Sequence, residues 1–302
     1  MLAMSFLVYS LIGLMPGDPI DVMVQSNPDL TPADAARLKA LHGLDRPILE
    51  RWLAWLGAAL QGDLGYARLQ AAPTAEVILP RLGNTLILMG ASLVLSLAIA
   101  LPLGVLAALR AGGRLDAAIS ALCFAGISLP AFWLALLLIM VFSVGLGVLP
   151  ASGMGPLDGG GFLARLPYLA MPVATLTLAS VAVHVRYIRA ALIETLREDY
   201  VRTARAKGAS EARVLWRHAL RNALIPFVTV LALDAGGLFS GALITETMFG
   251  WLGMGKLIYD SIMGSDFNVA LAGLMLATAV VLLANLAADI ACAALDPRVR
   301  LR

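Results

Sequence analysis

Residues 84–109 read NTLILMGASLVLSLAIALPLGVLAAL and carry no charged side chain. As an α-helix this stretch would be about 39 Å long, which exceeds the ~30 Å hydrocarbon core of a bilayer. The 302-residue chain shares its character, because 60% of the residues are hydrophobic and only 14% are charged. A globular domain is about 25% charged. The sequence therefore predicts an all-α polytopic membrane protein.

Further apolar segments complete the predicted set of membrane helices. Four long segments cover residues 117–148, 166–188, 223–244 and 269–295, and a shorter run covers residues 2–15. The shorter run would be only about 20 Å long as a helix. We expect it to be an anchor whose start has been trimmed or misassigned, rather than a secretory signal. Together these segments predict about six transmembrane helices.

Three prolines fall inside or at the start of these segments, at Pro102, Pro130 and Pro226. Proline removes a backbone N–H, but neighbouring helices and polar side chains can satisfy the freed groups inside a membrane. We therefore expect kinks at these positions and not breaks.

Basic residues outside the apolar segments predict the orientation of the chain. They fall on one side, at Arg110 and Arg114, in the run 186–221, and at Arg298, Arg300 and Arg302. By the positive-inside rule this side is the cytoplasm, so both termini are predicted to be cytoplasmic. Residues 1–83 would then hold the first helix and an extracytoplasmic subdomain, and residues 84–302 the remaining core.

Two short helices are predicted in the extracytoplasmic subdomain. Thr31 can cap a helix with Pro32 at its first position and Asp34 in its first turn. Residues 47–60 repeat leucine and tryptophan at helical spacing. Because tryptophan favours the membrane interface, we expect this second helix to lie there.

Residues 194–226 form a charged segment between two apolar segments. The pattern predicts a helix, a break at Gly208 and a second helix that Ser210 can cap, with Glu211 in its first turn. Long connections of this kind usually have a function. We expect the segment to form an elbow on the cytoplasmic side.

Charged residues recur every four positions on both predicted helices of this elbow, which places them on common faces. The first face carries Glu194, Glu198 and Arg202, and the second carries the basic stripe Arg213, Arg217 and Arg221. The pattern indicates a docking surface for a cytoplasmic partner. Composition alone leaves open the alternative that these arginines only hold the topology and contact lipid headgroups.

Enzymatic chemistry is not indicated. Residues 250–256 read GWLGMGK and imitate a phosphate-binding loop, but that loop needs a preceding strand and a Ser or Thr where Leu257 stands. His42, His184 and His218 show no metal-ligand spacing, and no serine, cysteine and histidine constellation of a hydrolase is evident. We predict no catalytic residue, no metal and no cofactor in this chain.

Nucleic acid binding and redox chemistry are not expected either. The formal charge of +2 is too small for a nucleic-acid-binding protein. Cys123 and Cys292 lie in apolar stretches, which favours buried free thiols over a disulfide.

Residues 199–208, which read DYVRTARAKG, resemble the EAA loop of binding-protein-dependent ABC permeases. Ala204 and Gly208 match the general pattern of that loop, and the departures from it resemble the dipeptide, oligopeptide and nickel branch. Leu252 departs from the proline that the family often has there. Further stretches that resemble this branch are Pro16–Pro19, Gly62–Gly65, Arg81 and Leu82 with Thr85, Ser128–Pro130 with Phe132, and Thr245 and Glu246 with Phe249, Gly253 and Gly255.

This resemblance implies the type I ABC importer permease fold, in a multi-pass protein of the bacterial inner membrane. It implies alternating access with a second, similar permease, two cytoplasmic ATPase subunits that bind ATP and Mg, and an extracytoplasmic solute-binding protein. Lipid is the remaining partner. The substrates of the family are dipeptides, longer peptides, nickel chelates, glutathione and opines. The resemblance assigns ATPase coupling to Arg202, Thr203, Ala204, Lys207, Gly208, Arg213, Arg217, His218, Arg221 and Asn222.

The competing hypothesis is a secondary transporter or channel that works without an ATPase. Such proteins contain inverted repeats or discontinuous half-helices, and the sequence shows neither. Neighbouring reading frames for a second permease and ATPases would separate the two hypotheses.

Asp234 is an acid near the middle of a predicted membrane helix. About 18 Å of helix separates it from Asn222 at the cytoplasmic end, so it cannot easily reach either interface. We expect it to face the translocation pathway, where it would favour cationic or amine-bearing substrates. Pairing with a basic group of the partner permease is an equally open alternative.

Overall fold

The computed structural model describes residues 2–14, 31–41, 45–156 and 161–295. The described chain is predominantly helical and divides into two compact units. Unit one consists of Met1–Asn84 with Leu252–Val280, and unit two consists of Thr85–Trp251 with Val281–Arg302. The motif at residues 16–19, His42 and the arginines after residue 295 lie outside the described residues.

Unit one begins with three short helices and a small hairpin. The helices are α1 (Leu2–Gly13), α2 (Pro32–Leu41) and α3 (Ile48–Leu60), and the strands β1 (Tyr66–Ala67) and β2 (Ala72–Pro73) pair antiparallel. α4 (Thr74–Leu109) follows directly. It begins at Thr74 and not at Asn84, so the boundary that the sequence suggested after residue 83 falls inside a helix.

The cap predicted for α2 is confirmed. The backbone N–H of Asp34 donates to Thr31 Oγ1 at 3.3 Å, and the Asp34 carboxylate accepts from the backbone N–H of Thr31 at 3.0 Å. These reciprocal bonds satisfy N–H groups that a helix start otherwise leaves unpaired. The side-chain and backbone bonds from Thr31 lower the pKa of Asp34.

Polar contacts fix the hairpin of unit one to the turn between α11 (Met254–Met263) and α12 (Phe267–Leu295). Arg68 Nη2 donates to the carbonyl of Gly264 at 2.5 Å, and the backbone N–H of Leu69 donates to Asp266 Oδ2 at 2.9 Å. Asn268 Nδ2 donates to the carbonyl of Tyr66 at 3.1 Å. The hairpin is therefore held by side chains as well as by its own short ladder.

Unit two is built around long apolar helices. After α4 the chain forms α5 (Arg114–Ser128), α6 (Ala131–Leu138), a first π-helical segment (Ile139–Gly145) and α7 (Gly161–Thr195). It continues as α8 (Asp199–Ala206), α9 (Glu211–Arg213), a second π-helical segment (Val214–Ala219) and α10 (Leu220–Met248).

Within the described residues, α4, α7 and α12 are long and apolar enough to cross a membrane, and the pair α5 and α6 would add a fourth span. α10 has 29 residues, and α1 is a shorter apolar helix. Six crossings therefore stay a prediction.

The expectation of a kink at Pro130 was wrong, because the helix breaks there. α5 and α6 meet at an angle of 98°. Leu129 before the proline has an extended backbone with φ −87° and ψ 120°, which is the region that a following proline imposes. At the other two prolines the helices do not break, since Pro102 lies inside α4 and Pro226 inside α10, and the kinks expected there stay a prediction.

The core of unit two lies where α4, α5, α7 and α10 pack together. Gly104 of α4 approaches α7 so closely that an added Cβ would lie 2.8 Å from Ile188. Only glycine permits this approach without displacing a neighbour. The fully or nearly buried members of the core include Val185, Ile188, Leu192, Ala219 and Phe227.

Candidate functional site

The charged segment after α7 forms the predicted elbow, which we define as Asp199–Ala219: α8, the turn at Gly208, α9 and the second π-helical segment. Gly208 has a φ of +79°, which is strained for residues with a side chain. Ser210 caps α9 by accepting a bond from the backbone N–H of Arg213 at 3.4 Å. The helix, glycine break and capped second helix are therefore confirmed.

One face predicted for the first arm is wrong. Glu194 belongs to α7, whereas Glu198 has an extended backbone and occupies the N-cap position of α8 without a side-chain capping bond. The helix break between them means that Glu194, Glu198 and Arg202 do not share one helical face. The four-residue spacing gave a wrong prediction here, because polar residues near the end of a helix are also the residues that terminate the helix.

The side chains of the predicted coupling residues are mostly exposed. Exposed members are Arg202, Thr203, Lys207, Gly208, Arg213, Arg217, Arg221 and Asn222, and Ala204 and His218 are half-buried. The basic stripe runs from α9 through the second π-helical segment into α10, where the wider π turn changes the strict α spacing.

An ion pair that sequence reasoning missed closes the elbow. Arg205 Nε donates to Glu211 Oε1 at 2.9 Å, and Arg205 Nη2 donates to Glu211 Oε2 at 3.1 Å. This two-point contact spans the glycine turn and joins α8 to α9. The two residues are six apart and lie on different helices, so no helical spacing rule indicates them.

One hydrogen bond joins the elbow to α10, and two apolar side chains of the elbow are fully buried. Val201 of α8 and Val214 of the second π-helical segment are both fully buried, and Asn222 Nδ2 of α10 donates to Tyr200 Oη at 2.9 Å. The backbone also stays helical from Glu211 through the π segment into α10, because Val214 and Leu220 both have right-handed helical angles. The second arm and α10 therefore form one continuous rod.

An ion pair between buried Asp116 and half-buried Arg189 joins the start of α5 to the last turns of α7. Arg189 Nε donates to Asp116 Oδ1 at 2.5 Å, and Arg189 Nη2 donates to Asp116 Oδ2 at 2.7 Å. The backbone N–H of Gly112 also donates to Asp116 Oδ2 at 2.8 Å. The turn that carries Arg110 and Arg114 consequently lies at the same end of unit two as the elbow.

Three polar side chains from three helices meet inside unit two. His184 of α7 contacts Asp234 Oδ2 of α10 through Nε2 at 2.5 Å, and Ser96 Oγ of α4 through Nδ1 at 2.8 Å. His184 and Ser96 are fully buried, whereas the Asp234 side chain is 27% exposed. Phe227 packs edge-on against the imidazole, with ring centres 5.4 Å apart.

Sequence reasoning missed this group, which we call the Ser96–His184–Asp234 chain. It treated His184 as an isolated histidine, and the structure gives that residue two partners that lie 88 and 50 positions away. The Ser96–His184–Asp234 chain is not a hydrolase site, because Ser96 is fully buried and cannot meet a substrate. Its hydroxyl also bonds to Nδ1 of the imidazole, whereas the serine of a hydrolase bonds to Nε2. Asp234 thus has a hydrogen-bond partner, the imidazole of His184, within the same polypeptide.

A second buried contact joins Thr85 of α4 to Glu246 of α10. Thr85 Oγ1 donates to Glu246 Oε1 at 2.5 Å, and both side chains are fully buried. Their separation along the chain is 161 residues.

The stretch that imitates a phosphate-binding loop has the wrong structural context. A helix, α10, precedes it and not a strand, and Lys256 Nζ pairs with Asp260 Oδ2 at 2.8 Å on α11. Within the part of the chain that the structure describes, no group of three or more His, Cys, Asp or Glu residues could hold a metal ion.

Comparison with known proteins identifies the class of the chain. Residues 100–301 match the model of the family described as "Binding-protein-dependent transport system inner membrane component". A putative peptide permease of Brucella suis is 40% identical over 302 residues, which cover 99% of this chain and 95% of the relative. The oligopeptide transport system permease AppB of Bacillus subtilis is 38% identical, with 99% and 95% covered.

Two further comparisons agree with that match. The dipeptide transport system permease DppB of Escherichia coli K12 is 34% identical, with 99% of this chain and 94% of the relative covered. Among solved structures, a chain of the MetNI methionine ABC transporter in an inward-facing conformation shares the fold, with a TM-score of 0.58 and 20% identity. The match covers 73% of this chain and 96% of that one.

The bent pair α5 and α6 is a discontinuous helix, a feature that secondary transporters also contain. The family match includes this pair and therefore removes that alternative. The chain belongs to the inner membrane components of binding-protein-dependent transport systems, as a multi-pass transmembrane subunit of an ABC importer and not an enzyme.

Proposed function

We propose that this chain forms, with a second similar permease, the membrane pathway through which peptides or related small solutes are imported. An extracytoplasmic binding protein would deliver the solute, and two cytoplasmic ATPases would drive alternating access. The names of the relatives support peptides as the substrate class, since those proteins are peptide, oligopeptide and dipeptide permeases.

The observation that carries the proposal is the continuity between the elbow and α10. The second arm of the elbow enters α10 without a break, and α8 is held to that rod by buried Val201 and by the bond from Asn222 to Tyr200. A partner that displaces α8 would therefore move α10 with it. This is how closure of an ATPase pair on ATP would reach the membrane pathway.

Exposed basic residues supply the surface on which an ATPase would dock. Arg213, Arg217 and Arg221 are exposed and follow one another along the rod, so their guanidinium groups can reach carboxylates of a partner. Arg205 has a different role, because its guanidinium is already engaged by Glu211.

Replacing Gly208 tests the proposal. Its φ of +79° disfavours side chains, whereas the space around it is empty, so Gly208→Val strains the backbone without a steric clash. Such strain is about 1–3 kcal/mol, which is enough to move the elbow to another conformation in most of the molecules. We expect substrate-stimulated ATP hydrolysis and uptake by the reconstituted complex to fall about tenfold, with normal yield of the complex.

Gly147 provides a matched control. It has a φ of +65°, also has empty space around it, and follows the first π-helical segment. Gly147→Val introduces comparable strain outside the elbow and should leave coupling much closer to wild type. Gly208→Asn should be milder than Gly208→Val, because asparagine tolerates the left-handed region. Wild-type hydrolysis and uptake in Gly208→Val would refute the proposed coupling role.

A further inference from the structure

Asp234 lies at a position where an ionised carboxylate needs a polar partner or water. It lies near the middle of α10, and 27% of its side chain is exposed on the chain. A charged carboxylate against lipid at this depth is costly, so such groups face a polar partner or a water-filled cavity. The exposed part of Asp234 is therefore expected to lie on an internal surface of the assembled importer.

The imidazole of His184 determines how the carboxylate is held. An ionised carboxylate only accepts hydrogen bonds, so Nε2 of His184 must carry the proton in the contact with Oδ2. In neutral imidazole Nδ1 is then an acceptor, and it receives the hydroxyl proton of Ser96. The bonds thus run in one direction, from the Ser96 hydroxyl through the imidazole to the Asp234 carboxylate.

The second carboxylate oxygen of Asp234, Oδ1, is not in the contact with His184. Among the residues whose side chains the structure describes, Oδ1 of Asp234 makes no hydrogen bond, whereas Oδ2 is held by His184. His184 is itself fixed by Ser96 and by the edge of Phe227. One oxygen thus orients the side chain, and among the described side chains none competes with a ligand for the second.

We propose that the Ser96–His184–Asp234 chain is a recognition point for the ammonium groups of basic peptide side chains in the pathway, with Asp234 in contact with the substrate and His184 and Ser96 as positioning residues. This inference rests on the proposed function as a peptide permease. An ammonium group donates up to three bonds and suits a carboxylate oxygen. Because Asp234 shares one oxygen with His184, its hold on a passing ammonium is weak enough for release.

The test compares two dipeptides in proteoliposomes that contain the complete importer. Initial ATP-dependent uptake of Ala-Lys and of Ala-Glu is measured, and the ratio of the two rates is compared between variant and wild type. The same binding protein delivers both peptides in every experiment, so its own preference cancels in this comparison. Asp234→Asn should lower the ratio about fivefold, as expected for loss of one charge contact near 4 Å in a watery site.

Variants of the positioning residues sharpen the result. His184→Gln keeps a donor for Asp234 and should stay within about twofold of wild type, whereas His184→Leu removes the donor and should lower the ratio as Asp234→Asn does. Ser96→Ala should give a smaller decrease in the ratio. Asp289→Asn removes an exposed acid elsewhere on α12 and is the control, with an unchanged ratio.

Three outcomes are decisive. An unchanged ratio in Asp234→Asn, with normal uptake of both peptides, overturns the inference and leaves the proposed function intact. Loss of complex yield in Asp234→Asn also overturns it, because Asp234 then serves assembly with the partner permease. Absence of ATP-dependent peptide uptake by the wild-type importer instead refutes the proposed function, on which the inference depends.

Discussion

At the scale of single residues, the buried acid Glu246 gives the clearest stability prediction. Thr85 Oγ1 donates to its carboxylate at 2.5 Å, and neither side chain is exposed. Thr85→Val keeps the shape of the side chain and removes the donor. We expect a loss of about 1–3 kcal/mol of stability, because the carboxylate cannot recover a bond from water. Thermal unfolding of the purified complex measures this loss as a lower melting temperature.

Thr278→Val is the matched control for this experiment. The Thr278 hydroxyl donates to the carbonyl of Leu274 within the same helix, and that carbonyl can keep its ordinary helical bond. Its replacement should change the melting temperature little. Equal melting temperatures for Thr85→Val and the wild type would contradict the stabilising role of the Thr85 contact.

At the scale of elements, the ion pair between Arg205 and Glu211 holds the two arms of the elbow together. Both side chains are substantially exposed, at 40% and 73%, so the pair contributes at most about 1 kcal/mol to overall stability. Its effect should instead be on the shape of the elbow. Arg205→Glu places two acids across the turn and should reduce uptake per ATP hydrolysed, with little change in melting temperature.

The reversed pair provides the control. Arg205→Glu combined with Glu211→Arg restores opposite charges across Gly208 and should recover most of the lost coupling. The reduction in the single variant should also weaken at high salt, because exposed charges are screened. If the double variant couples no better than Arg205→Glu alone, the pair does not set the geometry of the elbow.

At the scale of the whole molecule, the prediction concerns topology. In unit two, Asp116 and Arg189 place the α4–α5 turn at the end that carries the elbow. The backbone N–H of Gly153 donates to the carbonyl of Phe249 at 2.8 Å. This bond joins the segment after the first π-helical segment to the residue that follows α10. We expect the elbow to be cytoplasmic, as the positive-inside rule requires, with both termini on that side.

Cysteine labelling in sealed cells tests this orientation. In a background with Cys123 and Cys292 replaced by alanine, Gln70→Cys and Ala206→Cys are compared, because both positions are exposed. Gln70 lies between β1 and β2 and should react with an impermeant maleimide from outside. Ala206 on α8 should react only after the membrane is opened. Labelling of Ala206→Cys in intact cells would reverse the assigned topology.

The sequence by itself determined the features that depend on local chemistry. The length of an apolar segment predicts a membrane helix, because the contributions of its residues to the free energy of transfer into the bilayer add up wherever the neighbouring helices lie. The break at Gly208 and the caps at Thr31 and Ser210 were predictable because a turn or a cap involves residues within a few positions. The break at Pro130 was misjudged, because whether neighbours satisfy the freed backbone groups is a tertiary matter.

Only the tertiary structure decided which polar side chains are partners. Ser96, His184 and Asp234 are single polar residues on three apolar helices, and Thr85 with Glu246 and Asp116 with Arg189 are likewise far apart along the chain. A lone polar residue has no periodicity, so its sequence surroundings do not indicate a partner. The pairing depends on the rotation and depth of each helix, which packing contacts such as Gly104 against Ile188 establish. The candidate recognition point therefore exists only once the helices are packed.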